Sequence, residues 1–446
     1  MRAARPDEKS APSGLANRGK IRETFAPPMT TAAPARKPAT KFIFITLVLA
    51  ITGFGLLIPV LPKLIVQFEG GDIAAGSGAY GWIISVFALM QFVFSPILGS
   101  LSDRFGRRRI ILIATAGSAI DYVIMAWAPS LAWFFVARVI AGSTAGVLST
   151  ANAYIADVTP AEKRASAFGL LGAAFGIGFI IGPVLGGFLG NYSLRLPFWV
   201  AAGCSAVNWL YGYFVLPESL QPENRREFSW KRANPIGALL ALRRFPAVLG
   251  LVESFFLLTL AQVMLQSTWA LYTGYRYEWG PLQIGLSLMF VGVATGLVQA
   301  TLVKKIVPKL GDTRAVILGL CISIVAQLGY GFAPQGWMIY AIICLGCFAG
   351  IGQPALQSYV TKHVPPNEQG AVQGVFGGLQ SLAGIPGPFI ASHSFGWAIA
   401  PGRVWHLPGI AFFEGSALTL AGLLLAVRAF GKDYAPTAPT PAGTTG

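Results

Sequence analysis

Few residues of this chain could do chemistry inside its apolar stretches, because most ionisable side chains stand at the ends of long hydrophobic runs. Asp121 and Arg138 are exceptions. Asp121 falls about 12 residues into one such run, roughly 18 Å deep if the run is a helix rising 1.5 Å per residue. Arg138 falls in the next run, and Pro129 lies eight residues after Asp121 and nine before Arg138. A hairpin turning at Pro129 therefore sets both at one depth. Charge in hydrocarbon costs several kcal/mol unless it is paired or hydrated, so the spacing predicts an ion pair or a shared polar network. Two uses are open. Protonating Asp121 would release Arg138 and act as a switch, or the pair is static and lets two buried charges tolerate each other.

Other polar groups are more ambiguous. Glu253, about six residues into its run, is shallow enough to snorkel; Glu414, about nine residues into the last run, has no partner evident in sequence. Each is a candidate for coupling or solute contact. Asp157 stands at the end of the Arg138 run, where capping a loop explains it. Gln262, Gln266 and Trp269, with Asn152 and Gln357, are expected to line a central cavity suited to an uncharged or amphipathic solute. Hydrogen bonding between helices explains them equally well. His363, His393 and His406 show no metal spacing, and Cys204, Cys321, Cys344 and Cys347 lie inside apolar segments, where thiols pack. No Ser/His/Asp set and no Gly-x-x-x-x-Gly-Lys-Ser/Thr phosphate loop occurs. The expectation is a non-enzyme without cofactor, metal or ATP.

The elements that carry these residues follow from composition. Of 446 residues, 54% are hydrophobic and 11% charged, a balance suited to a chain whose solvent is lipid. The net charge of +15 sits in short clusters between apolar runs, which favours a membrane surface over nucleic acid. A spanning helix needs about 20 mostly apolar residues, since only a helix satisfies its own backbone in hydrocarbon. Such runs lie near 42–66, 80–102, 109–128, 131–155, 165–189, 196–216, 247–273, 281–304, 314–333, 336–360, 370–391 and 405–428. The fold class is all-α integral membrane.

Alternate connections carry the cations, among them Arg104, Arg107, Lys163, Arg225, Lys304 and Lys362. The positive-inside rule places these loops and both termini in the cytoplasm. Residues 1–41 read as a disordered tail, with Met29 an alternative start; 42–216 and 247–428 as two six-helix bundles; 217–246 as a linker; and 429–446 as a second tail. An offset of 205 residues superposes Tyr154 on Tyr359, Pro160 on Pro365, Gly169 on Gly374 and Gly182-Pro183 on Gly387-Pro388. The halves are therefore expected to be parallel repeats.

Two motifs remain. Gly99, Asp103, Arg104, Gly106, Arg107 and Arg108 form one loop, whose glycines permit a tight turn and whose Asp103 can pair with a cation or a helix N-terminus. This loop resembles the signature G-x-L-x-D-R-x-G-R-[KR] of the major facilitator superfamily, and the resemblance implies a latch on the cytoplasmic side; fixing topology is the plainer use. Gly178, Gly182, Pro183, Gly186 and Gly187 look like the antiporter motif of drug-exporting branches. They expose a small-residue face, and Pro183 bends the helix. Generic helix packing is the alternative.

The segments 53–62, 103–108, 121–122, 138–142, 154–157, 175–178 and 354–357 are similar to the bacterial tetracycline-exporter branch, from Phe42 to about Phe430. That resemblance implies proton-coupled export of a small drug-like compound across a bacterial inner membrane. It also sets Ala50 and Ser323 where the branch carries intramembrane aspartates. The rival readings are an uptake or facilitative carrier for a metabolite, and a non-transporting membrane sensor.

Overall fold

The computed structural model describes residues 40–230, Asn234, 249–364 and 369–431. The expected tails before residue 40 and after 431, and most of the linker beyond Trp230, lie outside the described residues. Each of the twelve apolar runs contains helix, and among the described residues ten helices are long and apolar enough to cross a membrane. We number them in order: α1 (Thr40–Phe68), α2 (Ile73–Phe105), α3 (Arg107–Trp127), α4 (Leu131–Val158), α5 (Arg164–Tyr192), α6 (Leu196–Phe214), α7 (Leu249–Arg276), α8 (Pro281–Leu297, prolonged to Leu310), α9 (Asp312–Phe332), α10 (Gly336–Lys362), α11 (Gln369–Ala383 resuming as Pro386–Ile399) and α12 (Ile410–Gly431). The two outside the ten are α6, a continuous helix of 19 residues made less apolar by Pro197, Asn208, Tyr211 and Tyr213, and α11, broken at Gly384 before Pro386.

Boundaries moved where capping outweighs hydropathy. α2 begins seven residues before its expected start because the Asp72 carboxylate accepts the backbone N–H groups of Ala74 and Ala75 at 2.8 and 3.1 Å. It ends at Gly106, whose φ of 101° suits glycine. α12 starts at Ile410, after Pro401, Gly402 and Pro408 have kept the preceding stretch out of helix, and runs on to Gly431, past the expected end at 428. α4 loses its helix at 144–146, and α10 passes through a 3-10 turn at Cys347–Ile351, which covers the positions 205 residues on.

Packing between the first six helices and the last six is uneven along their length. α5 packs on α8 and α2 on α11. At the end away from the arginine loop, one buried cluster joins Val60, Phe134 and Phe198 to Trp269, Tyr272 and Ile284. Toward the arginine loop the clusters are separate: Ile43, Tyr154 and Leu216 in one half, Phe255, Leu356 and Phe376 in the other. Glycines record the same asymmetry. A Cβ at Gly285 would sit 2.2 Å from the Pro183 carbonyl oxygen, and one at Gly187 2.4 Å from that of Pro281, whereas at Gly169, Gly172, Gly374 and Gly377 it would meet nothing within 4 Å. The halves are sealed at the far end and parted at the arginine end.

Candidate functional site

Asp121 on α3 and Arg138 on α4 face each other across the hairpin that turns near Pro129. Arg138 Nη2 donates to Asp121 Oδ2, with both side chains almost wholly buried. Both helices are unbroken between the turn and these residues, so equal spacing sets equal depth. Among the described residues Asp121 Oδ1 and Arg138 Nε have no hydrogen-bond partner, and the guanidinium carbon lies 5.5 Å from the centre of the Phe87 ring.

Arg138 opens onto a cavity of about 470 Å³ between the halves. Gln262, Gln266 and Trp269 of α7 line it, opposite Phe54 of α1, Tyr80, Phe87 and Gln91 of α2, and Phe179 of α5. Trp269 Nε1 donates to Ser287 Oγ at 3.0 Å and meets the Tyr330 ring edge-on at 5.2 Å, so its indole is held as a fixed wall. Ser323 and Gln327 complete the α9 side; Gln327 Nε2 donates to Ser323 Oγ and to Thr419 Oγ1.

Asn152 and Gln357 do not line the cavity. Asn152 lies 14 residues beyond Arg138 and Gln357 eight residues beyond Ala349, both displaced from the lining toward the arginine end. Asn152 is exposed and donates to the Leu148 carbonyl at 3.1 Å. Type and repeat position had paired these amides with the cavity; depth separates them from it. Glu253 is exposed, and Glu414 accepts a hydrogen bond from Ser394 Oγ at 2.8 Å; neither lines the cavity. Ala50 lies outside the lining as well.

At the arginine end Arg107 ties three elements together. Its guanidinium meets Asp103 at the end of α2, Ser102 Oγ at 2.7 Å, and Asp157 at the end of α4 at 3.1 Å. Arg108 donates to the carbonyls of Gly212 and Tyr213 on α6. Arg104 lies over the Phe105 ring, and a Cβ at Gly99 would meet nothing.

Glu218, just past α6, was not singled out by spacing. Its carboxylate accepts the N–H groups of Arg107 at 2.8 Å and Arg108 at 3.3 Å, the first donors of α3, and a Cβ at Gly106 would strike it at 2.2 Å. Ser219 Oγ adds a 3.0 Å bond to Asp157. The signal in the sequence was an acid directly after the proline that ends the sixth run.

The glycine face of α5 serves two neighbours. Gly178, Gly182 and Gly186 receive α1, a Cβ at Gly186 falling 2.1 Å from the Leu56 carbonyl oxygen; Gly187 receives α8, and Pro183 lies between Gly55 and Gly285. One helix thus packs closely within its own half and against the other.

Residues 43–388 match the family model described as Major Facilitator Superfamily. The chain is 38% identical over 378 residues to the "Tetracycline resistance protein, class C" of Escherichia coli, covering 85% of this chain and 93% of that protein. It is 27% identical to the "Multidrug resistance protein 2" of Bacillus subtilis (strain 168), covering 80% and 89%. Among solved structures, the nucleoside transporter NupG superposes with a TM-score of 0.71 at 14% identity, covering 88% of this chain and 98% of that one, a likeness of fold.

Proposed function

From the premise that this chain belongs to the Major Facilitator Superfamily and is a multi-pass membrane transporter resembling tetracycline exporters, we propose that it exports a small amphipathic compound in exchange for protons. The observation that carries this is the buried Asp121–Arg138 pair at the edge of a cavity that lies between two halves sealed at one end. In this reading a proton reaching Asp121 weakens its hold on Arg138, and the halves rock so that the sealed end opens. The ties of Arg107 to Asp103 and Asp157 fasten the first half as one body, so that motion concentrates between halves.

The arginine end is assigned to the cytoplasm of a bacterial inner membrane, with both termini on that side, in accord with the positive-inside rule. The solute is drug-like but need not be a tetracycline. Ser323 lines the cavity as a neutral group at the position where the exporter branch is expected to carry an acid, and a multidrug resistance protein is among the relatives.

The test is expression in a pump-deficient bacterium with a susceptibility screen that includes tetracyclines, alongside everted vesicles. Export predicts lowered susceptibility to some compound and partial collapse of the vesicle proton gradient when that compound is added, both absent with Asp121→Asn. No shift for any compound would favour a metabolite carrier instead.

A further inference from the structure

The cavity wall carries formal charge of one sign. Among its described lining residues Arg138 alone is charged, and none is Asp or Glu. Asp121 is not part of the lining, so the pair presents its cationic member to the cavity and keeps its carboxylate behind. The second half does not balance it: 205 residues on from Asp121 and Arg138 stand Ala326 and Ile343, both facing the cavity as hydrocarbon.

Arg138 also retains donor capacity. A guanidinium has five N–H groups in a planar fork. Asp121 accepts a hydrogen bond from Nη2, Nε is buried without a partner, and Nη1 makes no hydrogen bond among the described residues. An unspent N–H of this kind, in a low-dielectric pocket, is matched by a planar anion that accepts side-on.

The rest of the lining suits an aromatic body. Phe54, Phe179 and Trp269 supply faces, and Gln262 and Gln266 supply amides that can donate or accept. Aromatic faces also attract cations. A cation would nonetheless enter a site with no carboxylate in its wall and one guanidinium at its edge, and its lost hydration would go unrepaid.

We infer that the cavity binds an amphipathic solute bearing a planar acidic group, a carboxylate or sulfonate, with its charge on the guanidinium of Arg138 and its ring against Trp269. The inference rests on reading this cavity as the path of the transported compound.

Three probes of one shape test it: 1-naphthoate, 1-naphthylmethanol and 1-naphthylmethylammonium, titrated against the purified full chain in lipid nanodiscs with no gradient. The expected order is naphthoate tightest, by at least about tenfold over the ammonium, the scale of one hydrogen bond to a charged group. The double variant Asp121→Asn with Arg138→Gln, uncharged at both positions, should erase that difference. Thermal melting verifies that it folds, and if it does not, the wild-type order with 1-naphthalenesulfonate as a second anion decides alone. Equal or tighter binding of the ammonium, or no binding by any probe, overturns the inference. Because no gradient is used, a failed proton-exchange assay leaves this result standing, and a cation preference here leaves proton-coupled export standing.

Discussion

Arg107 meets Asp157 at 3.1 Å, and 205 residues further along the chain Asp312 meets Lys362 at 2.6 Å with the charges exchanged. In each half the start of the third helix is thus tied to the end of the fourth, by a cation and an anion in the first half and by an anion and a cation in the second. The environments differ: Arg107 is 9% exposed at its side chain and Lys362 64%. Burial, not charge order, sets what each tie contributes.

Removing the two ties should therefore have unequal effects. An exposed ion pair contributes about 0–1 kcal/mol, so Lys362→Gln is expected to leave thermal melting in detergent nearly unchanged. Asp157→Asn withdraws charge from both Arg107 and Ser219, and hydrogen bonds to charged groups contribute about 1.5–3 kcal/mol each. A clear drop in melting temperature for Asp157→Asn and little for Lys362→Gln is the expected result; the reverse order would refute the burial argument.

Glu218 should prove a structural anchor of the arginine loop. Glu218→Ala leaves the first N–H groups of α3 without their acceptor, along with those of Ser219 and Leu220, for a cost of about 1–3 kcal/mol. Glu218→Gln keeps an acceptor oxygen and should lose less. Unfolding of both variants measured side by side checks the ranking.

The glycines of α5 offer a contrast within one helix. Gly186→Ala places a methyl 2.1 Å from a backbone oxygen of α1, which cannot give way without moving the helix, so overpacking of about 1–3 kcal/mol and reduced transport are expected. Gly169→Ala meets open space and gains helix propensity, so it should be neutral or slightly stabilising in melting experiments. Equal tolerance of the two would contradict the packing described for α5.

Much of this was readable in the residues. Hydrophobic run length gave the helices, because lipid leaves the backbone no other way to be satisfied. The distance from Pro129 gave the Asp121–Arg138 pairing, because a hairpin converts equal spacing into equal depth. Depth is also why Asn152 and Gln357 failed: their type suggested a cavity and the repeat related them to each other, but neither property says how far along a helix the cavity lies. Glu218 and Gln327 were missed because their partners are remote in sequence, 111 residues for Glu218 with Arg107 and 92 for Gln327 with Thr419. The exchanged pair Asp312–Lys362 was within reach of the 205-residue offset, yet an offset sought through identical residues passes over positions where the charges swap.

The Asp121–Arg138 pair itself can be dissected by a double-variant cycle. Arg138→Gln leaves a carboxylate buried beneath the cavity without its cation, and breaking a buried pair from one side costs about 3–5 kcal/mol. Asp121→Asn leaves the guanidinium, which still has the Phe87 face and the cavity to meet, so its cost should be smaller. The double variant removes both charges and should recover most of the stability lost in Arg138→Gln, because what remains is two hydrogen-bonding amides. Melting temperatures of the four proteins give the coupling energy. In vesicles, Asp121→Asn is expected to bind solute and to lose the dependence of transport on the proton gradient. If Asp121→Asn kept full gradient dependence while the cycle showed strong coupling, the pair would be a static ion pair and the proton would have to act elsewhere.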